Sequence, residues 1–184
     1  MNLGCFLLLE SLNKMQIYVI SGGPGVGKTS IINELAKDYF VLEEAARAVG
    51  DSQFKGKSVK QINQFEFQKA IFEFQKKEIE NFKNNKIIFS DRGFGDTLAY
   101  YSVHHLKAPK EIKEYAKKFR YTKIFILKPL KFYKKDKLRQ ETEKEQKRIH
   151  KIIVETYRKL GYKLIFVPFM SIEDRVKFIK SNIL

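Results

Sequence analysis

The chain has 184 residues, 43% hydrophobic and 14% aromatic, with sixteen Phe and no Trp, which is the length and content of one domain with a real core and excludes a disordered chain. Its 36 Lys and Arg against 21 Asp and Glu give a net charge of +15, a balance that suits polyanions; only seven of the 36 are Arg and no recognition motif accompanies them, so specific nucleic-acid binding is not expected. One cysteine, Cys5, excludes an internal disulfide and fits a cytoplasmic protein, and no apolar run reaches the roughly 18 residues of a membrane span, which leaves only peripheral contact with an anionic membrane face open.

Residues 1–14, MNLGCFLLLESLNK, carry a short apolar stretch with no basic residue before it, a poor signal peptide. Met15 opens a strand directly, so 1–14 read as an N-terminal extension to a single domain over 15–184. A strand is expected at 16–20, and a helix at 28–37. Between them SGGPGVGKTS, from Ser21 to Ser30, puts four glycines and a proline into ten residues, which suits neither helix nor strand. Gly22, Gly27, Lys28 and Thr29 fill every fixed position of G-x-x-x-x-G-K-[ST]. A polyphosphate wrapped by backbone N–H groups needs such a loop, because a Cβ facing it would block the approach. The expected nucleotide site is therefore Gly22, Gly23, Pro24, Gly25, Val26, Gly27, Lys28, Thr29 and Ser30. Lys28 would reach the β- and γ-phosphates, and the Thr29 hydroxyl would ligate Mg²⁺.

The second strand, 39–43, runs into LEEAAR, 42–47. There Glu44 is a candidate base or ligand for acceptor hydroxyls, and Arg47 a candidate for an acceptor anion; an ordinary opening turn of a helix is the plainer alternative. A long amphipathic helix is expected over 59–83. The third strand, 86–90, ends in Ser90-Asp91-Arg92. Ligands of parallel α/β sheets bind at the carboxyl ends of the strands, so Asp91 would hold Mg²⁺ through water or take a proton from the attacking hydroxyl. Arg92 would grip the acceptor or the transferring group. Helices follow at 95–103, with Tyr100 and Tyr101 read as core, and at 109–118; a strand follows at 122–127.

Residues 128–148 are dense in charge, and about 128–145 read as a cationic lid over the triphosphate. Arg139 is its best single candidate, with Asp136 orienting it. A helix at 143–160 stopped by Gly161, a strand at 163–167 and a helix at 172–182 opened by Ser171 complete the chain. Pro168, Phe169 and Met170 would offer the nucleotide base a loose apolar contact. His104, His105 and His150 lack metal-ligand spacing and read as structural or surface residues. Strands apolar at successive positions, alternating with helices, mean a parallel sheet between two helical layers, an α/β/α sandwich. Tyr133-Lys-Lys-Asp136 lacks the Asn or Thr of a guanine reader, and no D-x-x-G switch follows a strand.

Taken together, ISGGPGVGKTS, EEAARA, FSDRGFGDTLAYY, FRYTKIFIL, DKLRQE and YRKLGYKLIFVP, spread over about 16–182, resemble P-loop proteins of the AAA-type ATP-binding domain family. That family is related to ribosylnicotinamide kinase domains and, more distantly, to deoxynucleoside and thymidylate kinases. The resemblance implies a nucleoside-kinase-like P-loop NTPase fold with five strands in the order 2-3-1-4-5. It implies ATP, or GTP as the alternative, with Mg²⁺ at Gly22–Thr29; an acceptor cleft near Glu44, Arg47, Asp91 and Arg92; and a lid at Asp136–Arg139. The expected activity is transfer of the γ-phosphoryl group to a small-molecule substrate, a nucleoside, nucleotide or ribosylated pyridine. Some eukaryotic relatives are regarded as GTP- and phosphoinositide-binding trafficking proteins, so a nucleotide-dependent switch stands as the alternative, and a plain NTP phosphohydrolase as a third reading.

Overall fold

The apolar runs rich in Ile, Val and Phe become strands because both of their faces are covered. In the computed structural model, which describes residues 15–57, 61–82, 87–129 and 142–183, the strands are β1 (Gln16–Ser21), β2 (Phe40–Leu42), β3 (Ile87–Asp91), β4 (Lys123–Leu127) and β5 (Leu164–Val167). They form one sheet in the order β2-β3-β1-β4-β5, and every neighbouring pair is parallel. Residues 1–14 lie outside the described residues, as does most of the expected lid, with Asp136 and Arg139.

Seven helices are found among the described residues: α1 (Lys28–Leu35), α2 (Ala45–Gln53), α3 (Gln64–Asn81), α4 (Phe94–Val103), α5 (Lys110–Lys118), α6 (Glu143–Lys159) and α7 (Ile172–Ser181). Side chains alternate along a strand, so β1 feeds two cores. Ile17 and Val19 pack with Phe72, Phe94, Ile112 and Tyr157 of α3 to α6. Tyr18 and Ile20 pack on the other face with Ile31 and Leu35 of α1 and Val176 and Ile179 of α7. All four β1 residues are at most 2% exposed, which is why the run carries no polar alternation. Among the described residues, no helix is long and apolar enough to cross a membrane.

Two helices differ from the sequence expectation. α2 extends the EEAAR turn into a full helix, with Ala45 and Val49 on one stripe packed against Ile71. Its second half, Gly50-Asp-Ser52, is poor in helix formers and hides the period. α3 begins at Gln64 because Asn63 caps it, its side-chain oxygen accepting from the N–H groups of Phe65 and Glu66. α6 begins at a capping box, in which Thr142 Oγ1 accepts from Glu145 N–H and Glu145 Oε2 accepts from Thr142 N–H. α4 and α6 approach closely at Gly95, where a Cβ would stand 2.4 Å from the Tyr157 ring.

Candidate active site

The strand register decides what meets at the carboxyl edge of the sheet. Ile20 of β1 lies beside Asp91 of β3, and Ser21 beside Ile126 of β4. The P-loop leaves β1 at this edge. Gly22 has φ +138°, and a Cβ there would fall 2.9 Å from the Leu127 carbonyl oxygen, so glycine is required on both grounds. Gly22, Gly23 and Val26 are buried, Pro24, Gly25 and Gly27 half-buried, and Thr29 and Ser30 exposed at the start of α1. The Lys28 ammonium folds back over the loop and donates to the carbonyls of Gly23 (2.9 Å) and Gly22 (3.2 Å). Burial, and then the Arg92 charge, push Lys28 down to about 8, against the pull of Asp91, Asp96 and Glu44. On the far side, Arg175 of α7 donates to the Val26 carbonyl at 2.8 Å. Phe169, expected near the base, is exposed with its ring 5.5 Å from the Arg175 guanidinium.

Arg92 is the hinge of the acidic side. Its φ is +72°, a left-handed conformation uncommon for a side chain of this size. Its N–H donates to the Ile20 carbonyl at 3.0 Å, and its own carbonyl accepts from Ser90 Oγ at 2.6 Å. So held, its guanidinium donates through Nε to Glu44 Oε1 at 2.7 Å, reaches Asp96 Oδ1 at 3.4 Å and lies 5.3 Å from the Tyr100 ring. Burial alone would lower the Arg92 pKa, but Tyr100, Glu44, Asp96 and Asp91 raise it well above its ordinary value. Burial would likewise raise Glu44, and the Arg92 charge and hydrogen bond hold it below its ordinary value.

Asp96 was not singled out from the sequence. It is 2% exposed and accepts from Ser21 Oγ (2.6 Å), Tyr157 Oη (2.6 Å) and the Gly93 N–H (3.0 Å) as well as from Arg92. It therefore ties β1, the β3–α4 turn and α6 into one network. Tyr101 is core, and Tyr100, half-buried and packed against the same core, also faces Arg92 and lines a cavity. His150, read as structural or surface, reaches the P-loop.

Two cavities meet at Glu44. One, of about 670 Å³, is lined by Thr29, Glu43, Glu44, Arg47, Asp51 and Asp91. The other, of about 650 Å³, runs from Glu44, Arg92 and Asp96 past Phe67, Ile71, Gln68, Gln75 and Tyr100 to Arg148 and Ile149. Arg47, exposed on α2, lines the first cavity only, apart from Arg92. Asp91 is 4% exposed, and burial pushes its carboxyl up to about 6 despite Arg92 and Lys28. Its Oδ1 is buried with no hydrogen-bond partner among the described residues. An orphaned carboxylate oxygen on a residue that lines the same cavity as Thr29 fits Mg²⁺, a hard cation that keeps most of its water. Among the described residues no three His, Cys, Asp or Glu gather into a cage, so such an ion would complete its shell with phosphate and water oxygens.

The profile of a family described as AAA domain matches residues 17–175. The chain belongs to this AAA domain family. Solved structures of similar fold include the NadR protein in complex with NR, at 18% identity and TM-score 0.66, covering 85% of this chain and 46% of that one. They include thymidylate kinase from Ehrlichia chaffeensis, at 14% identity and TM-score 0.65, covering 91% and 98%, and deoxyadenosine kinase from M. mycoides with bound dATP, at 17% identity and TM-score 0.64, covering 90% and 98%. The chain spans about half the length of the NadR chains it matches. No curated protein matches it. At these identities the likeness establishes the fold alone: a three-layer α/β/α P-loop fold of the nucleoside-kinase-like type.

Proposed function

We propose that the protein is an ATP-dependent small-molecule kinase whose acceptor is a nucleoside, a nucleotide or a related ribosylated ring. The observation that carries this reading is the Glu44–Arg92 pair, closed at 2.7 Å, at the inner end of the 650 Å³ cavity and next to Lys28. Structural neighbours support it: a thymidylate kinase, a deoxyadenosine kinase with bound dATP, and the NadR protein in complex with NR.

Thr29 and Asp91, the latter through water, would hold Mg²⁺, which supplies charge neutralisation on the β- and γ-phosphates. Lys28 would leave the Gly22 and Gly23 carbonyls for the same phosphates. Glu44 keeps its second carboxylate oxygen free of any partner among the described residues, so it can accept the acceptor hydroxyl. The acceptor oxygen then bonds to the γ-phosphorus as the bridge to the β-phosphate breaks, ADP departs, and the hydroxyl proton passes to Glu44. A carboxylate held below its ordinary pKa is a weak base, which suits a loose transition state that asks mainly for alignment. Arg92 would fix Glu44 and meet charge developing on the transferred group. The flat walls of Phe67 and Tyr100 and the buried amides of Gln68 and Gln75 suit a planar ring with both hydrogen-bond donors and acceptors. By the same reading Arg47 would assist an anionic acceptor entering beside Glu44.

Glu44→Gln tests the assignment. Transfer to the acceptor should fall by about 10²–10⁴-fold while Mg²⁺-ATP affinity stays within about threefold, since among the described residues the Glu44 carboxylate bonds to Arg92 and not to the P-loop. Equal losses of affinity and turnover would place Glu44 in the nucleotide site instead.

A further inference from the structure

α6 meets the P-loop at Gly23, and the contact is polar on one side and steric on the other. The Gly23 N–H donates to His150 Nδ1 at 3.2 Å. A Cβ on Gly23 would stand 3.0 Å from His150 Cβ and 3.2 Å from the Gln146 carbonyl oxygen, so helix and loop are in full contact. Gly23 is buried, and a buried backbone N–H must find a partner within the protein. The other side of the same residue is held as well, its carbonyl accepting from Lys28 at 2.9 Å. Because Nδ1 accepts, the ring carries its proton on Nε2. Burial, and then the nearby Lys28 charge, hold His150 below the ordinary histidine value, which keeps that tautomer neutral. Among the described residues, Lys28 is the charged group that acts on the ring.

We propose that His150 is a positioning residue of the nucleotide site: it fixes the Gly23 peptide, from which the phosphate-facing amides of the loop fan out, and so makes α6 part of that site. The donor amides of a P-loop must converge on the phosphates from fixed directions, and the loop has few anchors of its own. Lys28, which holds Gly23 from the carbonyl side, is the group expected to leave for the phosphates when nucleotide binds. His150 is then the side chain that still holds the Gly23 peptide. The proposal rests on nucleotide binding at the P-loop and is independent of the acceptor.

The test is the affinity of the full chain for a fluorescent, non-hydrolysable ATP analogue with Mg²⁺. His150→Leu keeps the bulk and removes the acceptor; binding should weaken on the order of tenfold, the worth of one buried N–H left unpaired. His150→Asn puts an oxygen close to the place of Nδ1 and should restore affinity to within about threefold of wild type, a rescue that a general packing role would not give. Unchanged binding in His150→Leu, or no recovery in His150→Asn, would overturn the proposal. Should His150→Leu fail to fold, Gly23→Ala presses a methyl into the same contact and should weaken binding in a folded protein; full affinity there would overturn it equally. A wild-type chain that binds no nucleotide would overturn both this proposal and the nucleotide site, a result distinct from equal binding by wild type and variant.

Discussion

In an Asp91→Asn variant the carboxylate at the end of β3 becomes a neutral amide of nearly the same shape. Asp91 is 4% exposed, with one oxygen lacking any partner among the described residues. Burial raises its pKa from 3.8 to about 6, with Arg92 and Lys28 offsetting only part of that. The folded chain therefore binds the Asp91 proton more tightly than the unfolded chain does. This group's contribution to stability is most favourable below about pH 4 and is lost as pH rises towards 6. The interval from 3.8 to about 6, at about 1.36 kcal/mol per unit, makes the ionised group cost roughly 3 kcal/mol at pH 7. An asparagine escapes that cost but must satisfy its own amide, so a gain of about 1–3 kcal/mol is expected. At roughly 2–4 °C per kcal/mol for a chain of this size, Tm without nucleotide should rise by several degrees. The assay is thermal unfolding by circular dichroism, without nucleotide, at pH 7.5 and pH 4. The gain should appear at pH 7.5 and vanish at pH 4, while the variant loses the Mg²⁺-dependent part of its nucleotide affinity. A variant that melts at or below the wild-type temperature at pH 7.5, or a gain that persists at pH 4, would refute the reasoning.

Lys28 should register nucleotide binding as proton uptake. Its pKa of about 8 must rise when phosphates replace the Gly22 and Gly23 carbonyls, so calorimetric titration with Mg²⁺-ATP at pH 8.5, in buffers of different ionisation enthalpy, should report net uptake; none, or release, would contradict this placement of Lys28. Gly95→Ala drives a methyl to 2.4 Å from the Tyr157 ring, which is fully buried and held by Asp96 at 2.6 Å. Overpacking of this kind should cost about 1–3 kcal/mol, read as a lower urea midpoint at unchanged slope. Glu145→Ala opens the capping box at the start of α6 and should cost about 1 kcal/mol in the same urea assay, with Mg²⁺-ATP affinity within about twofold of wild type.

How much of this was legible beforehand follows from how local each signal is. The strands were readable to within about a residue or two at each end, because burial on both faces leaves an uninterrupted apolar run such as Ile17–Ile20. The P-loop was readable because its whole motif lies within ten residues, Ser21 to Ser30, and the sheet order that the resemblance of the six segments implied is the order observed. α2 was not, since Gly50-Asp-Ser52 interrupts its period. Asp96 carried a misleading signal: an acid three residues into a helix is expected for the dipole alone, and its partners Ser21 and Tyr157 lie 75 and 61 residues away. His150 and Gly23 are separated by 127 residues, and nothing in the helical stripe of α6 distinguishes a ring turned to the P-loop from one turned to solvent. Tyr100 and Tyr101 both pack against the core, yet Tyr100 alone of the two also lines the cavity, a difference set by helix rotation. One local clue was available, a glycine directly after Arg92 and another at Gly95, which mark a place where another chain segment comes close.

The central claim is acceptor-dependent phosphoryl transfer. It is tested most directly by measuring ADP release from Mg²⁺-ATP, with GTP in parallel, across a panel of nucleosides, nucleoside monophosphates and ribosylnicotinamide, with Lys28→Ala as the blank. The account predicts a large rise with one class of acceptor, absent in the blank. Slow nucleotide hydrolysis that no acceptor changes would contradict it.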